Sequence, residues 1–473
     1  MDAGFKSEDF RKGARGVNEL KFFVITDTHY FKNSLGAHGE AYDSFMRYEQ
    51  KCFAETEVIN KAVLSYLAES DLADIVLIAG DLSFNGEKES HLAFVEELNK
   101  LKQSGKRVYV ITAGHDFNDH PFSFDETGRH EPEGTKREEL FDLYYDFGFS
   151  EAIAVDREHL SYVVQLSDSV RLLALNNDGD CEENITYDDR QIAWIKEQTK
   201  KAREDGQMMI AMNHYPLLPG QPIFSIIPTA VQQNAEAITT MLADEGVHLV
   251  FTGHMHNQSI NEKITEKGNK FYDVCTGSTI ADPAFMRLVT VLDRKTVKIE
   301  SIPTPDFDWD TGGRDCKQYL DDLFDSMILN IIEDMRENPE VLLQKFGAAD
   351  KKSLYPVFKT LGKILNKMTV GGVARLLCIH CDKSIRKMLF KNYVVELVRG
   401  VLEGNQTFVE GTPKGDVLLA AIRRLRFVFK KLRIKTLEGD LADMAEILKH
   451  SAGNYGIDDY NATLILEDRK SVV

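Results

Sequence analysis

Six cysteines in 473 residues (Cys52, Cys181, Cys275, Cys316, Cys378 and Cys381), most of them isolated, are too few for a disulfide framework and read as reduced thiols. No stretch approaches the roughly 18 consecutive apolar residues of a membrane span. The first sixteen residues hold no apolar run of signal-peptide type. The expectation is a cytoplasmic protein, or one whose leader has been trimmed. Positive charge is also short: 57 Lys and Arg against 75 Asp and Glu give a formal net charge of −18. A surface of that sign does not displace counterions from a phosphate backbone, so nucleic acid is disfavoured as a partner while staying open as a substrate. Internal repeats and low-complexity tracts are missing too.

What is present suits a folded chain: 43% hydrophobic and 10% aromatic residues. The length exceeds that of one ordinary core, so two domains are expected. Their charges differ. Met1 to Thr311 carries 31 basic and 53 acidic residues, net −22, whereas Gly312 to Val473 carries 26 and 22, net +4. In the first part, short apolar runs at 21–26, 74–79, 107–112, 208–213 and 248–252 read as buried strands. Helical patterns lie between them at 49–70, 87–103, 136–147, 188–204 and 229–245, a β-α-β alternation. Closely spaced strands at 152–176 and 258–302 suggest antiparallel hairpins beside the central sheet. The stretch Pro303 to Gly313, with two prolines and two glycines among acidic residues, reads as a linker. Beyond it only helical periodicity is seen, at 315–336, 339–346, 353–367, 384–403, 415–434 and 438–450. The expected division is a catalytic domain over 1–305, a linker over 306–314 and an α-helical domain over 315–473.

Chemistry gathers at the strand ends. Asp27-Thr28-His29 follows the first strand, Gly80-Asp81 the second, and Ala113-Gly114-His115-Asp116 the third. His214-Tyr215-Pro216 follows the fourth and Gly253-His254-Met255-His256 the fifth. Taken singly, a D-x-H or a Gly-Asp after a strand is ordinary turn chemistry, and a lone His214 is ordinary core. Five in order are another matter, because loops at the carboxyl ends of such strands converge on one crevice. Carboxylates with neutral imidazoles and no thiolate suit a catalytic site for first-row divalent metals. A carboxylate such as Asp81 can bridge two ions about 3.5–4 Å apart, the arrangement used on phosphate esters.

This set resembles the blocks of the calcineurin-like metallophosphoesterases: D-x-H, G-D, G-N-H-D, a single His and G-H-x-H. The resemblance covers roughly residues 20–302, and the run Gly80 to His91 is similar to the block of uncharacterised bacterial members. It implies a four-layer αββα sandwich and two divalent transition-metal ions (manganese, iron, zinc or similar). It further implies in-line hydrolysis of a phosphate mono- or diester by a hydroxide bound between the ions. By position, Asp27, His29 and His256 would hold one ion, His214 and His254 the other, and Asp81 would bridge. His115 would serve near the leaving-group oxygen as general acid or transition-state stabiliser, with Asp116 orienting it through its other ring nitrogen. Gly114 departs from the pattern, standing where the family has Asn. The second site then keeps three protein ligands and is expected to be the weaker, with Asn118 the nearest replacement donor. The same departure supports an alternative, a non-catalytic or single-metal descendant that serves as an interaction scaffold.

Two features lie outside this set. Cys378-Ile-His-Cys381 is a C-x-x-C, but no second pair accompanies it and its flanks read as helix, so packing cysteines are expected. Val417 to Lys435 reads as a basic amphipathic helix carrying Arg423, Arg424, Arg426, Lys430, Lys431, Arg433 and Lys435. Such a helix suits a membrane surface or an acidic protein face, here the −22 domain. The substrate expected from the charge is a small phosphate ester.

Overall fold

The computed structural model describes residues 19–178, 185–225, 227, 229–345, 352–432 and 456–466, with backbone only for 426–432. Cys181 and the expected helix at 438–450 lie outside the described residues. In chain order the strands are β1 (Leu20–Ile25), β2 (Ile75–Ala79), β3 (Arg107–Ile111), β4 (Ser123–Asp125), β5 (Gly128–His130), β6 (Ala154–Asp156), β7 (Ser161–Ser167) and β8 (Val170–Ala174). There follow β9 (Met208–Met212), β10 (Val247–Thr252), β11 (Ser259–Ile264), β12 (Lys270–Cys275), β13 (Phe285–Asp293), β14 (Thr296–Pro303) and β15 (Ala462–Ile465). One sheet runs β15-β14-β13-β1-β2-β3 and the other β11-β12-β10-β9-β8-β7-β6, with β4 and β5 forming a separate ribbon.

The five strands read from apolar runs form the parallel centres of the two sheets: β1-β2-β3 in one, and β9-β10, flanked by parallel β8 and β12, in the other. Every residue of β2 and of β9 is buried, as expected for strands covered on both faces. The hairpin segments supply the antiparallel margins. Between the sheets lies a dry core in which Phe22 of β1 meets Phe251 of β10 edge to face, ring centroids 5.5 Å apart. Helices Thr56–Glu69 and Lys88–Gln103 add Ile59, Val63, Leu67, Phe94 and Leu98 to the same core from the first sheet's side. The opposite face of the second sheet presents Leu173, Ala211 and Val250 to Ile195 and Ala202 of helix Asp189–Glu204 and to Ile238 and Leu242 of helix Ala235–Asp244. The result is the four-layer α/β sandwich followed by a helical region. Asp188 caps its helix by accepting from the Gln191 amide at 2.7 Å.

The helical region contains Cys316–Glu337, Pro339–Lys345, Tyr355–Lys367, Val370–Leu377, Phe390–Glu403 and Pro413–Leu432. It meets the sandwich through apolar contacts, Tyr319 and Leu320 joining the main core and Val401 packing with Phe224 and Ala230, and through polar ones. Tyr319 donates to Glu55 at 2.6 Å, and Asp334 accepts from Arg47 Nε at 2.7 Å and Tyr48 at 2.6 Å. Arg399 Nε is 3.5 Å from the buried Asp282 of the sandwich, while Lys317 lies between Asp321 and Glu403 within the helical region.

Several details differ from the sequence reading, among them the helices expected from 229 and 384, which start at Ala235 and Phe390. The helix expected from residue 49 starts at Thr56, because 47–55 turn back over an aromatic cluster around Phe53 and Phe84. The helix expected across Cys378–Cys381 stops at Leu377, where Cys378 turns into the left-handed region (φ 54°); Cys381 is buried in the helical core and Cys378 is exposed. Of the basic stripe, Arg423 pairs with Glu410 and Arg424 donates to the Leu377 carbonyl, two contacts made within the helical region. The side chains of Arg426, Lys430 and Lys431, and all of Arg433 and Lys435, lie outside the described residues. Lastly, β15 returns to pair with β14, a four-residue strand too short to register as a pattern.

Candidate metal centre

The turns after β1 and β2, and those after β9 and β10, are tied in pairs through their backbones. Asp27 N donates to Gly80 O at 3.1 Å, His29 N to Asp81 O at 3.0 Å and Gly253 N to His214 O at 2.9 Å. Side chains add further ties: Asp27 Oδ2 accepts from the His254 amide at 3.0 Å, and Asp81 Oδ1 from the His115 amide at 3.1 Å. Two glycines make the approach possible. A Cβ at Gly253 would stand 2.0 Å from Thr26 Oγ1 and 2.4 Å from Asp27 Oδ2; one at Gly80 would stand 2.7 Å from His214 Nδ1.

Three donor groups result, each with its ligand atoms within 4.8 Å of one another: Asp27, His29 and His256; His29, Asp81 and His115; Asp81, His214 and His254. Asp81 and His29 are each shared by two groups. Nε2 of His29 and Nε2 of His256 face each other at 3.0 Å, and both Nδ1 atoms lack a hydrogen-bond partner. His214 donates through Nδ1 to the Ala79 carbonyl at 2.7 Å, so in the neutral ring, the form that binds a metal, Nε2 is the acceptor. That Nε2 lies 3.0 Å from Asp81 Oδ2 yet off hydrogen-bond geometry, so it too is unpartnered. Buried imidazole nitrogens in this state are rare unless something else claims them. The backbone agrees: Asp27 (φ 50°), His29 (φ 38°), Asp81 (φ 49°), His254 (φ 70°) and His256 (φ 48°) all occupy the left-handed region. Non-glycine residues held there cost free energy and gather at functional sites.

The electrostatics are those of a cation site. Burial drives the His29 ring well below the ordinary histidine range, with Lys51 adding to the effect. Burial likewise takes His115 down to about 4, helped by Lys51, and His254 to about 4, helped by His214. Burial opposes charge on His214 as well, but Asp81 and Asp27 outweigh it and raise the ring to about 9. Burial would lift the Asp27 and Asp81 carboxyls, yet the surrounding imidazoles hold both below the usual range. Burial keeps His29, His115 and His254 neutral, and the ionised Asp27 and Asp81 draw positive charge onto His214, a donor set that fits divalent transition metals.

All the expected ligand residues therefore meet, and His115 joins them. Asp116 does not act as expected. The His115 Nδ1 donates to the Phe84 carbonyl at 3.0 Å, while the fully buried Asp116 carboxylate accepts from three amides at 2.8 Å: Leu82, Ser83 and Ala113. It clasps the turns after β2 and β3. Asn118 does not reach the cluster either, its Oδ1 accepting from the His120 amide at 2.9 Å. Sequence reasoning passed over Lys51, whose buried ammonium sits 4.5 Å over the Phe84 ring; its segment carries a helical pattern that hides the turn. It also passed over Tyr215, which looked like part of a turn.

A family model described as calcineurin-like phosphoesterase matches residues 20–258, half of the chain. No curated protein matches it. Among solved structures, a dimetal phosphatase from Danio rerio is 13% identical with a TM-score of 0.44, the match covering 60% of this chain and 96% of that one. A purple acid phosphatase from yellow lupin (Lupinus luteus) seeds is 14% identical with a TM-score of 0.39, covering 61% and 52%.

Proposed function

Because the chain belongs to the calcineurin-like phosphoesterase family, we propose that it hydrolyses a phosphate mono- or diester at a centre for two divalent transition-metal ions, of the manganese, iron or zinc kind. Asp27, His29 and His256 would hold one ion and His214 and His254 the other, with Asp81, which groups with His214 and His254 and also with His29 and His115, serving both. The ions supply Lewis acidity and an activated water for attack on phosphorus. The chain's own part is orientation and proton handling. His115, its Nδ1 proton fixed on the Phe84 carbonyl, presents its other nitrogen toward the leaving-group oxygen. Asp116 keeps the two turns that carry Asp81 and His115 in register. The strongly acidic first 311 residues turn away large polyanions, so the substrate is a small ester. We assign the catalytic domain to 1–305 and the helical domain to 315–473, joined by 306–314, with β15 returning from the latter stretch to complete the first sheet.

The observation that carries this reading is the meeting of seven donors from five strand ends, five of them in left-handed backbone. The test is hydrolysis of p-nitrophenyl phosphate and its bis ester by purified protein supplied with manganese, iron or zinc. Turnover of at least one, lost to a chelator and restored by metal, is expected. Protein that stays inert with every metal contradicts the proposal.

A further inference from the structure

Gly114 leaves a space, and the structure shows what stands in it. Its φ lies outside the left-handed region, so backbone conformation does not demand glycine there. A Cβ built on it would lie 2.7 Å from the Tyr215 hydroxyl. Apart from the residue's chain neighbours and the backbone of its own helical turn, no other described atom comes within 4 Å of that point. The hydroxyl oxygen, and no ring carbon, therefore occupies the side-chain space at 114. Tyr215 is buried at 4% exposure, and its ring packs on His254 with centroids 4.4 Å apart and on His214 at 5.1 Å. Those two imidazoles form a donor group with Asp81, which in turn accepts from the amide of the residue after Gly114. One phenolic O–H is thus brought to the edge of that group by a side chain that the strand-end motifs do not include.

The chemistry suits an anion. A tyrosyl hydroxyl donates a hydrogen bond at neutral pH without adding charge. A donor fixed beside a site where phosphoryl oxygens carry negative charge makes a strong, charge-assisted bond. Resting on the phosphoesterase reading above, we propose that Tyr215 Oη donates to a phosphoryl oxygen of the substrate from the space Gly114 leaves open, so that the two residues form a matched pair. Tyr215 is then a substrate-binding residue and not a metal ligand.

The experiment uses the full chain loaded with manganese and three readouts: metal equivalents, the dissociation constant of orthophosphate, and KM against kcat for p-nitrophenyl phosphate. Tyr215→Phe is expected to keep the wild-type metal content while binding orthophosphate about tenfold more weakly, with KM raised. Gly114→Ala approaches the same space without altering the tyrosine, and it weakens orthophosphate to a similar degree by pushing the hydroxyl aside. Combining the two substitutions then adds little to either. Unchanged orthophosphate affinity in both single variants overturns the proposal, as does a Tyr215→Phe protein that loses metal. Should Tyr215→Phe fail to fold, Gly114→Ala decides alone. Wild-type protein that holds no metal and hydrolyses nothing overturns the phosphoesterase reading itself, a failure separate from that of Tyr215.

Discussion

Asp116→Asn separates two roles that the sequence alone leaves merged. As a partner of the His115 ring, Asp116 would tune proton transfer; as a clasp, it holds backbone. The structure supports the clasp, with Oδ1 accepting from Leu82 and Ser83 and Oδ2 from Ala113, all at 2.8 Å and fully buried. Asparagine keeps the shape but puts an NH2 group against at least one of these N–H groups. A buried donor left unpaired costs about 1–3 kcal/mol. Burial, with Asp81 beside it, raises the Asp116 carboxyl to about 8, so at pH 7 charge assistance adds nothing to the bonds that survive. The expected loss is therefore about 1–3 kcal/mol, read from urea unfolding at pH 7 with chelator present, so that metal does not mask it. Activity should fall through displacement of the turns, with the shape of the pH–rate profile retained. Unaltered unfolding together with a lost limb of that profile would refute the clasp and restore the ring partnership.

Glu87 is fully buried, and burial raises its carboxyl from 4.5 to about 7. The fold thus favours the protonated form, so the wild type is at full strength below about pH 4.5 and loses stability as pH rises through 7. The loss reaches up to about 3 kcal/mol. Glu87→Gln should be more stable than wild type by that order at pH 8.5 and equal to it at pH 4.5 in urea titrations; a pH-independent difference would count against this. At Gly253, alanine would drive its methyl into Thr26 and Asp27, at 2.0 and 2.4 Å. Gly253→Ala should lose at least one metal equivalent by elemental analysis, and full occupancy would show that the close approach is not required.

The strand-end motifs were readable because each lies within a few residues of a buried apolar run, and parallel strands bring such ends together whatever their separation in sequence. That is why Asp27, His29, Asp81, His115, His214, His254 and His256 could be named beforehand and are found side by side. What escaped depends on contacts that leave no pattern. Asp116 is claimed by amides of another turn, and amides are the same in every residue. Lys51 lies in a segment whose apolar spacing continues into the following helix, so the turn over Phe84 is hidden. Tyr215 matters through a hydroxyl at the end of a long side chain, aimed at a glycine a hundred residues earlier. The pairing of β15 with β14 is likewise non-local, and four residues are too few to show a period.

The central claim is that one carboxylate, Asp81, organises a two-metal centre that does the hydrolysis. Elemental analysis of purified wild type and Asp81→Asn after manganese loading and desalting, with phosphoesterase activity measured on the same samples, tests it most directly. The account predicts two equivalents and turnover for the wild type, with both metal and turnover largely lost in the variant. An Asp81→Asn protein that keeps two metals and full activity would contradict it.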